Sequence, residues 1–135
     1  MKCLVVDSSA TMRRVLANAL RAAGCDEVVE ATDGKQGLEL CDPETCAVLT
    51  SWSLPLMSGV ELTRQLRANP ETAGVRVLLV TTHSLRDDVR VAIEAGVSGY
   101  LLKPFTHERL RHKLEELLHP RSADDPEPEA EAEAA

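Results

Sequence analysis

Aromatic side chains are almost missing from this 135-residue chain, which has one Phe, one Trp and one Tyr. Proteins that grip single-stranded nucleic acid stack successive bases on several aromatic platforms, and three rings do not supply such a surface. Positive charge is also scarce. Fifteen Lys and Arg face 22 Asp and Glu, for a net charge of −7, a balance that opposes binding to a phosphate backbone. No apolar run approaches the ~20 residues of a membrane-spanning helix. The apolar opening MKCLVV stops at Asp7, short of a secretory core. The chain is therefore expected in the cytoplasm, with no nucleic-acid and no membrane partner. Its four cysteines, Cys3, Cys25, Cys41 and Cys46, form no CxxC pair and have no His at zinc spacing. In a reducing compartment they read as small apolar fillers, neither a metal site nor a disulfide framework.

What is present is a globular balance, 44% hydrophobic and 27% charged, in a length that suits one domain. Short apolar runs alternate with amphipathic stretches five times. Lys2–Asp7 is apolar at successive positions, the pattern of a strand buried on both faces. Ser9–Gly24 follows with Met12, Val15, Leu16, Ala19, Leu20 and Ala23 at helical spacing. Ser9 suits an N-cap and Gly24 a stop. The next strand is Glu27–Ala31, and Asp33 caps a helix that Asp42-Pro43 breaks. Cys46–Ser51 is the third strand, followed by a loop and a helix from about Ser58 to Ala68. Val75–Thr82 is the fourth strand, rich in β-branched residues. Leu85, Val89, Ala92, Ile93 and Gly96 mark the stripe of a fourth helix. Gly99–Lys103 is the fifth strand, and Thr106 caps a last helix with the stripe Leu110, Leu114, Leu117 and Leu118. Five such units predict a doubly wound α/β sandwich with right-handed crossovers. After Pro120, Ala, Pro and acid alternate. Residues 121–135 carry one basic and six acidic side chains, and so −5 of the total charge, leaving −2 on the body. That stretch is expected to be a disordered acidic tail.

The strings VVDSSATMRR, ATDGKQGLEL, SWSLPLMSG, LLVTT and SGYLLKPF fall in that order at the strand–helix junctions. Together they resemble the receiver domain of bacterial response regulators, most closely the stand-alone chemotaxis type, over residues 2–119 within a domain of 2–120. The resemblance implies a flavodoxin-like (βα)5 fold with a five-stranded parallel sheet in order 2-1-3-4-5, whose ligands bind at the carboxyl ends of the strands. It also implies a pocket where an aspartate accepts a phosphoryl group from a histidine kinase. In that pocket three acidic residues hold Mg²⁺, while a hydroxyl and a Lys grip the phosphoryl oxygens. Asp7 matches the first acidic position, Thr81 the hydroxyl and Lys103 the ammonium. Pro104 matches a proline on a cis bond, and Tyr100 matches an aromatic whose rotamer follows the switch.

The departures change the expected chemistry. Ser8 stands at the second acidic position, Ser51 at the acceptor aspartate, and Thr82 where a small residue is usual. A pocket of three carboxylates and one Lys has a formal charge near −2. With Asp7 and Lys103 alone it is formally zero, so Mg²⁺ binding is expected to be weak or absent and no cofactor is assigned. A serine hydroxyl without a base is also a weak nucleophile. The expected function is a degenerate receiver, not an enzyme. It acts as a phosphorylation-independent interaction module for signalling proteins through a face centred on Tyr100, with Thr81 and Lys103 as the switch, and with Lys103 pairing to Asp7 or hydrogen-bonding Ser51. A second reading keeps phosphorylation at a substitute acceptor, Ser51 or Ser8. A third assembles Ser51, His83 and Asp7 into a hydrolase, against which stand the missing G-x-S-x-G elbow and oxyanion donors. His83 is read as solvated, Trp52 as a part-exposed loop ring, and Arg13 and Arg14 as solvating the first helix. His107, His112 and His119 have no metal-ligand spacing. No effector domain is expected after residue 120, so no DNA-binding role is assigned.

Overall fold

The computed structural model describes residues 1–119; the expected acidic tail at 121–135 lies outside the described residues. Five strands, β1 (Lys2–Val6), β2 (Glu27–Ala31), β3 (Thr45–Ser51), β4 (Arg76–Thr81) and β5 (Gly99–Leu102), alternate with five helices. The helices are α1 (Ala10–Ala22), α2 (Gly34–Leu40), α3 (Gly59–Ala68), α4 (Arg86–Ala95) and α5 (His107–Leu118). All strand pairs are parallel and the sheet order is β2-β1-β3-β4-β5, as expected. Among the described residues no helix is long and apolar enough to cross a membrane.

The strands are apolar at successive positions because alternate residues serve opposite faces of the sheet. Val5, Leu49, Leu78 and Val80 pack with Leu16 and Leu20 of α1 and with Leu110, Leu114 and Leu117 of α5. Their neighbours Leu4, Val6, Val48 and Val77 pack with Leu62 and Leu66 of α3 on the other face. Ser9, Asp33, Ser58 and Thr106 each cap a helix, the side-chain oxygen accepting from the backbone N–H three residues on. Four of the five strands are thereby cut cleanly from their helices, α4 alone starting without a side-chain cap, and the junctions collect at the carboxyl edge of the sheet.

Two expected stripes need correction. At α4, the N-cap Leu85 and the helical Ile93 are 70% and 62% exposed, while Ala92 and Ala95 face Val60 and Leu79. Small residues let this helix lie close to the sheet, which turns its larger apolar side chains outward. In α1, Val15 is exposed although it falls at the right spacing. The third difference is in β3, which starts one residue early and carries an irregularity. Lys2 pairs with Thr45 but Cys3 pairs with Ala47, so Cys46 is an extra residue bulged out of the ladder.

Candidate functional site

The carboxyl edge between β1 and β3 is where the strand order reverses and connections leave in opposite directions, and it gathers the expected residues. β1 ends at Val6 and Asp7 follows it, 3% exposed. The backbone at Asp7 still belongs to the sheet, since its N–H donates to the Ala31 carbonyl at 3.1 Å. The chain then turns sharply, and the Ser9 N–H donates to Asp7 Oδ1 at 2.8 Å. One carboxylate oxygen is thereby committed to shaping the turn into α1. The other, Oδ2, is buried and accepts no hydrogen bond from any described residue. Its neighbour is Lys103 Nζ at 3.6 Å. Lys103 follows β5, its N–H held by the Thr81 carbonyl at 2.8 Å, and the Lys103–Pro104 bond is cis. The expected pairing of Lys103 with Asp7 is present in the structure.

Ser51 closes β3 and is 8% exposed, whereas Ser8 is exposed at the rim. The chain leaving Ser51 is pinned by α3, whose Gly59 N–H donates to the Trp52 carbonyl at 2.8 Å. The loop then passes through a tight turn at Leu56, with φ of +69° and the Met57 N–H donating to the Pro55 carbonyl at 2.7 Å. Leu56 itself is 80% exposed. Thr82 is exposed and lines a shallow, mostly apolar groove of about 490 Å³ with Met12, Val15, Lys103, Pro104 and Phe105.

Three residues are tied into the site in ways their spacing did not reveal. Arg13 is not a solvated helix charge; its Nη1 donates to the Asp7 carbonyl at 2.8 Å and its Nε to Glu30 at 3.2 Å. The signal was its place one turn into a helix that begins right after the site. His83 is not free in solvent either. Its ring stacks on Trp52, with centroids 4.4 Å apart and planes 5° apart, and its Nδ1 faces Asp88 at 3.7 Å. Its backbone is gripped from both sides: its N–H donates to Thr81 Oγ1 at 3.1 Å, and its carbonyl accepts from the Tyr100 hydroxyl at 2.5 Å. Burial pushes the Tyr100 phenol above its ordinary pKa, with the Asp88 charge adding to the effect. No sequence pattern signalled this hub, because it joins residues from three junctions. It also leaves the nominal Ser51, His83 and Asp7 set unassembled, since His83 is directed to Asp88 and Asp7 to Ser9 and Lys103.

The site is thus one buried carboxylate, one ammonium and the hydroxyls of Ser8, Ser51, Thr81 and Thr82, at a formal charge of zero. Lys103→Met should cost roughly 1–3 kcal/mol by leaving a buried carboxylate without its counter-charge, whereas Asp7→Asn, which removes that charge, should cost less. Urea denaturation of both variants checks this, and a Lys103→Met protein as stable as the parent would contradict it.

The model of the response regulator receiver domain matches residues 3–115. The chain is 39% identical over 120 residues to the chemotaxis protein CheY homolog of Campylobacter jejuni, covering 87% of this chain and 92% of that one. It is 40% identical over 119 residues to chemotaxis protein CheY of Pseudomonas aeruginosa, covering 87% and 96%. Among solved structures it superposes on the signal receiver domain of the response regulator NarL from Mycobacterium tuberculosis. There the TM-score is 0.79 at 28% identity, with 89% of this chain and 97% of that one covered. It also superposes on the receiver domain of a Pseudomonas aeruginosa sensor histidine kinase that has a magnesium ion coordinated in its active-site cleft. That match has a TM-score of 0.74 at 27% identity, covering 87% and 96%. The chain belongs to the response regulator receiver domain family and is CheY-like in sequence and fold.

Proposed function

We propose that this chain is a receiver whose output does not depend on phosphorylation, an interaction module for partner proteins in a two-component or chemotaxis-like signalling system. One observation carries the reading: a serine hydroxyl, Ser51, ends β3 where the resemblance puts the acceptor carboxylate. A carboxylate attacks a phosphoryl donor as an anion, whereas Ser51 would have to lose a proton, and no base among the described residues hydrogen-bonds its hydroxyl. The residues present do not fit Mg²⁺. Asp7 supplies a single carboxylate already faced by Lys103, Ser8 and Ser51 supply neutral hydroxyls, and a hard dication that dehydrates reluctantly is poorly served by a donor set of net charge zero.

The mechanical parts of a switch support the same reading. Thr81 and Tyr100 hold the backbone of one residue, His83, from opposite sides, so a shift in either moves the β4–α4 junction and is felt by the other. Without a phosphoryl group the balance between loop positions is set by whatever binds one of them better. Exposed Leu85 at the N-cap of α4, Ile93 on α4 and Leu102 on β5 offer apolar surface on the side of Tyr100. Tyr100→Ala should therefore weaken partner binding several-fold, while Ser51→Ala leaves it nearly unchanged. Titration against a partner captured with the full chain checks both.

The chemical half is tested by incubation with acetyl phosphate and millimolar Mg²⁺, followed by intact mass spectrometry. The expected result is no gain of a phosphoryl group and no Mg²⁺-dependent rise in melting temperature. Phosphorylation at Ser51 or Ser8 would overturn the reading in favour of a substitute acceptor.

A further inference from the structure

The amino-terminal end of the sheet, opposite the candidate site, holds a pair of thiols. Cys3 Sγ and Cys46 Sγ are 3.7 Å apart, although 43 residues separate them in the chain. The bulge in β3 brings them together. In an unbroken ladder Cys46 would point to the opposite face from Ala47; as the extra residue it packs instead in the same cluster as Cys3 and Ala47. The two thiols differ in access. Cys3 is fully buried, and burial pushes its thiol well above the ordinary value. Cys46 is only partly buried and lines a surface groove of about 270 Å³ with Pro43, Gly74 and Arg76. Of the other cysteines, Cys25 shares the cluster of Cys3, but its Sγ is engaged with the backbone carbonyls of Met1 and Glu27, 3.2 Å from each, and Cys41 lies in the cluster on the far face of the sheet.

We infer that Cys46 and Cys3 form a peroxide-responsive dithiol, in which Cys46 is the residue oxidised first and Cys3 the residue that resolves it. In the first step the Cys46 sulfur attacks an oxygen of a hydroperoxide. The O–O bond breaks, an S–O bond forms, and the leaving oxyanion takes the thiol proton and departs as alcohol or water, leaving a sulfenic acid. In the second step the Cys3 sulfur attacks the Cys46 sulfur. The S–O bond breaks, and hydroxide leaves as water with the Cys3 proton, so two thiols lose two electrons in all and the peroxide gains them. The high pKa of Cys3 keeps it inert toward oxidants from solvent, while contact with Cys46 offsets its weak nucleophilicity once the sulfenic acid exists. The product staples β1 to β3 across a long loop, and a reductant reverses it.

The full chain treated with hydrogen peroxide should lose two hydrogens in intact mass, and alkylation after unfolding should then tag two thiols instead of four. It should yield a Cys3–Cys46 linked peptide under non-reducing digestion, and dithiothreitol should restore both. The crosslinked protein should melt several degrees higher than the reduced one. Cys46→Ser should keep its three remaining thiols at the same peroxide dose, and Cys3→Ser should convert the outcome to sulfinic or sulfonic acid at Cys46. Overoxidation of Cys46 in the parent without a crosslink, a linkage through Cys25, or a disulfide-joined dimer would each overturn the inference. The parent peptide map decides even if the buried Cys3→Ser variant folds poorly.

Discussion

Ser8→Asp combined with Ser51→Asp should make the stability of the domain depend on Mg²⁺. Both side chains sit at the carboxyl edge of the sheet, Ser51 buried at the end of β3 and Ser8 exposed beside Asp7. Two added carboxylates take the formal charge from zero to −2 in a pocket where Asp7 Oδ2 already lacks a hydrogen-bond donor. Without metal the like charges repel at close range, and the variant should lose roughly 1–3 kcal/mol. Millimolar Mg²⁺ should restore that and more, because a ligand at 100 times its Kd adds about 2.7 kcal/mol. Thr81 ends β4 and the Lys103 ammonium faces Asp7, so acetyl phosphate should then add a phosphoryl group to position 51. Thermal melts across a Mg²⁺ series, read at Trp52, test the metal half; a flat series would mean that residues 7, 8 and 51 do not face one cavity.

Gly59→Ala should be among the most damaging small substitutions in the chain. A Cβ at this position would lie 2.0 Å from the Ser51 carbonyl oxygen and 3.1 Å from Leu79 Cδ1. The clash is with backbone, which cannot rotate aside, so α3 must lift from the end of β3 and take the loop from Trp52 to Ser58 with it. Overpacking of a core commonly costs about 1–3 kcal/mol, and a backbone collision belongs at or above the top of that range. Gly74→Ala is the control: a Cβ there meets nothing within 4 Å, and stiffening the unfolded chain should make it neutral or stabilising by up to ~1 kcal/mol. Equal melting temperatures for the two variants would contradict the packing at Gly59.

Much of the fold was legible because its signals are local. Apolar runs without alternation predict strands covered on both sides, and Ser9, Asp33, Ser58 and Thr106 announce helix starts through chemistry acting over three residues. Asp7, Ser51, Thr81 and Lys103 were legible as a set because each stands at a strand end, and a parallel sheet brings its carboxyl ends to one edge. The side-chain polarity at those positions, one carboxylate against one ammonium, follows from the sequence alone and already sets the charge of the pocket.

Tertiary structure decided what depends on distance rather than order. Which apolar residues of α4 face inward was settled by how closely a helix can approach Leu79 and Val60, and alanines win that contest over Ile93. The hub at His83 unites hydroxyls from β4 and β5 with a ring from the loop after β3, elements that no window of sequence contains. The meeting of Cys3 and Cys46 needed a one-residue bulge, and such a register shift reverses which face a side chain takes without changing its identity. Sequence thus determined the elements, their order and the charge at the strand ends. Side-chain partners were decided by packing, because they join residues far apart in the chain that only the folded sheet brings within reach.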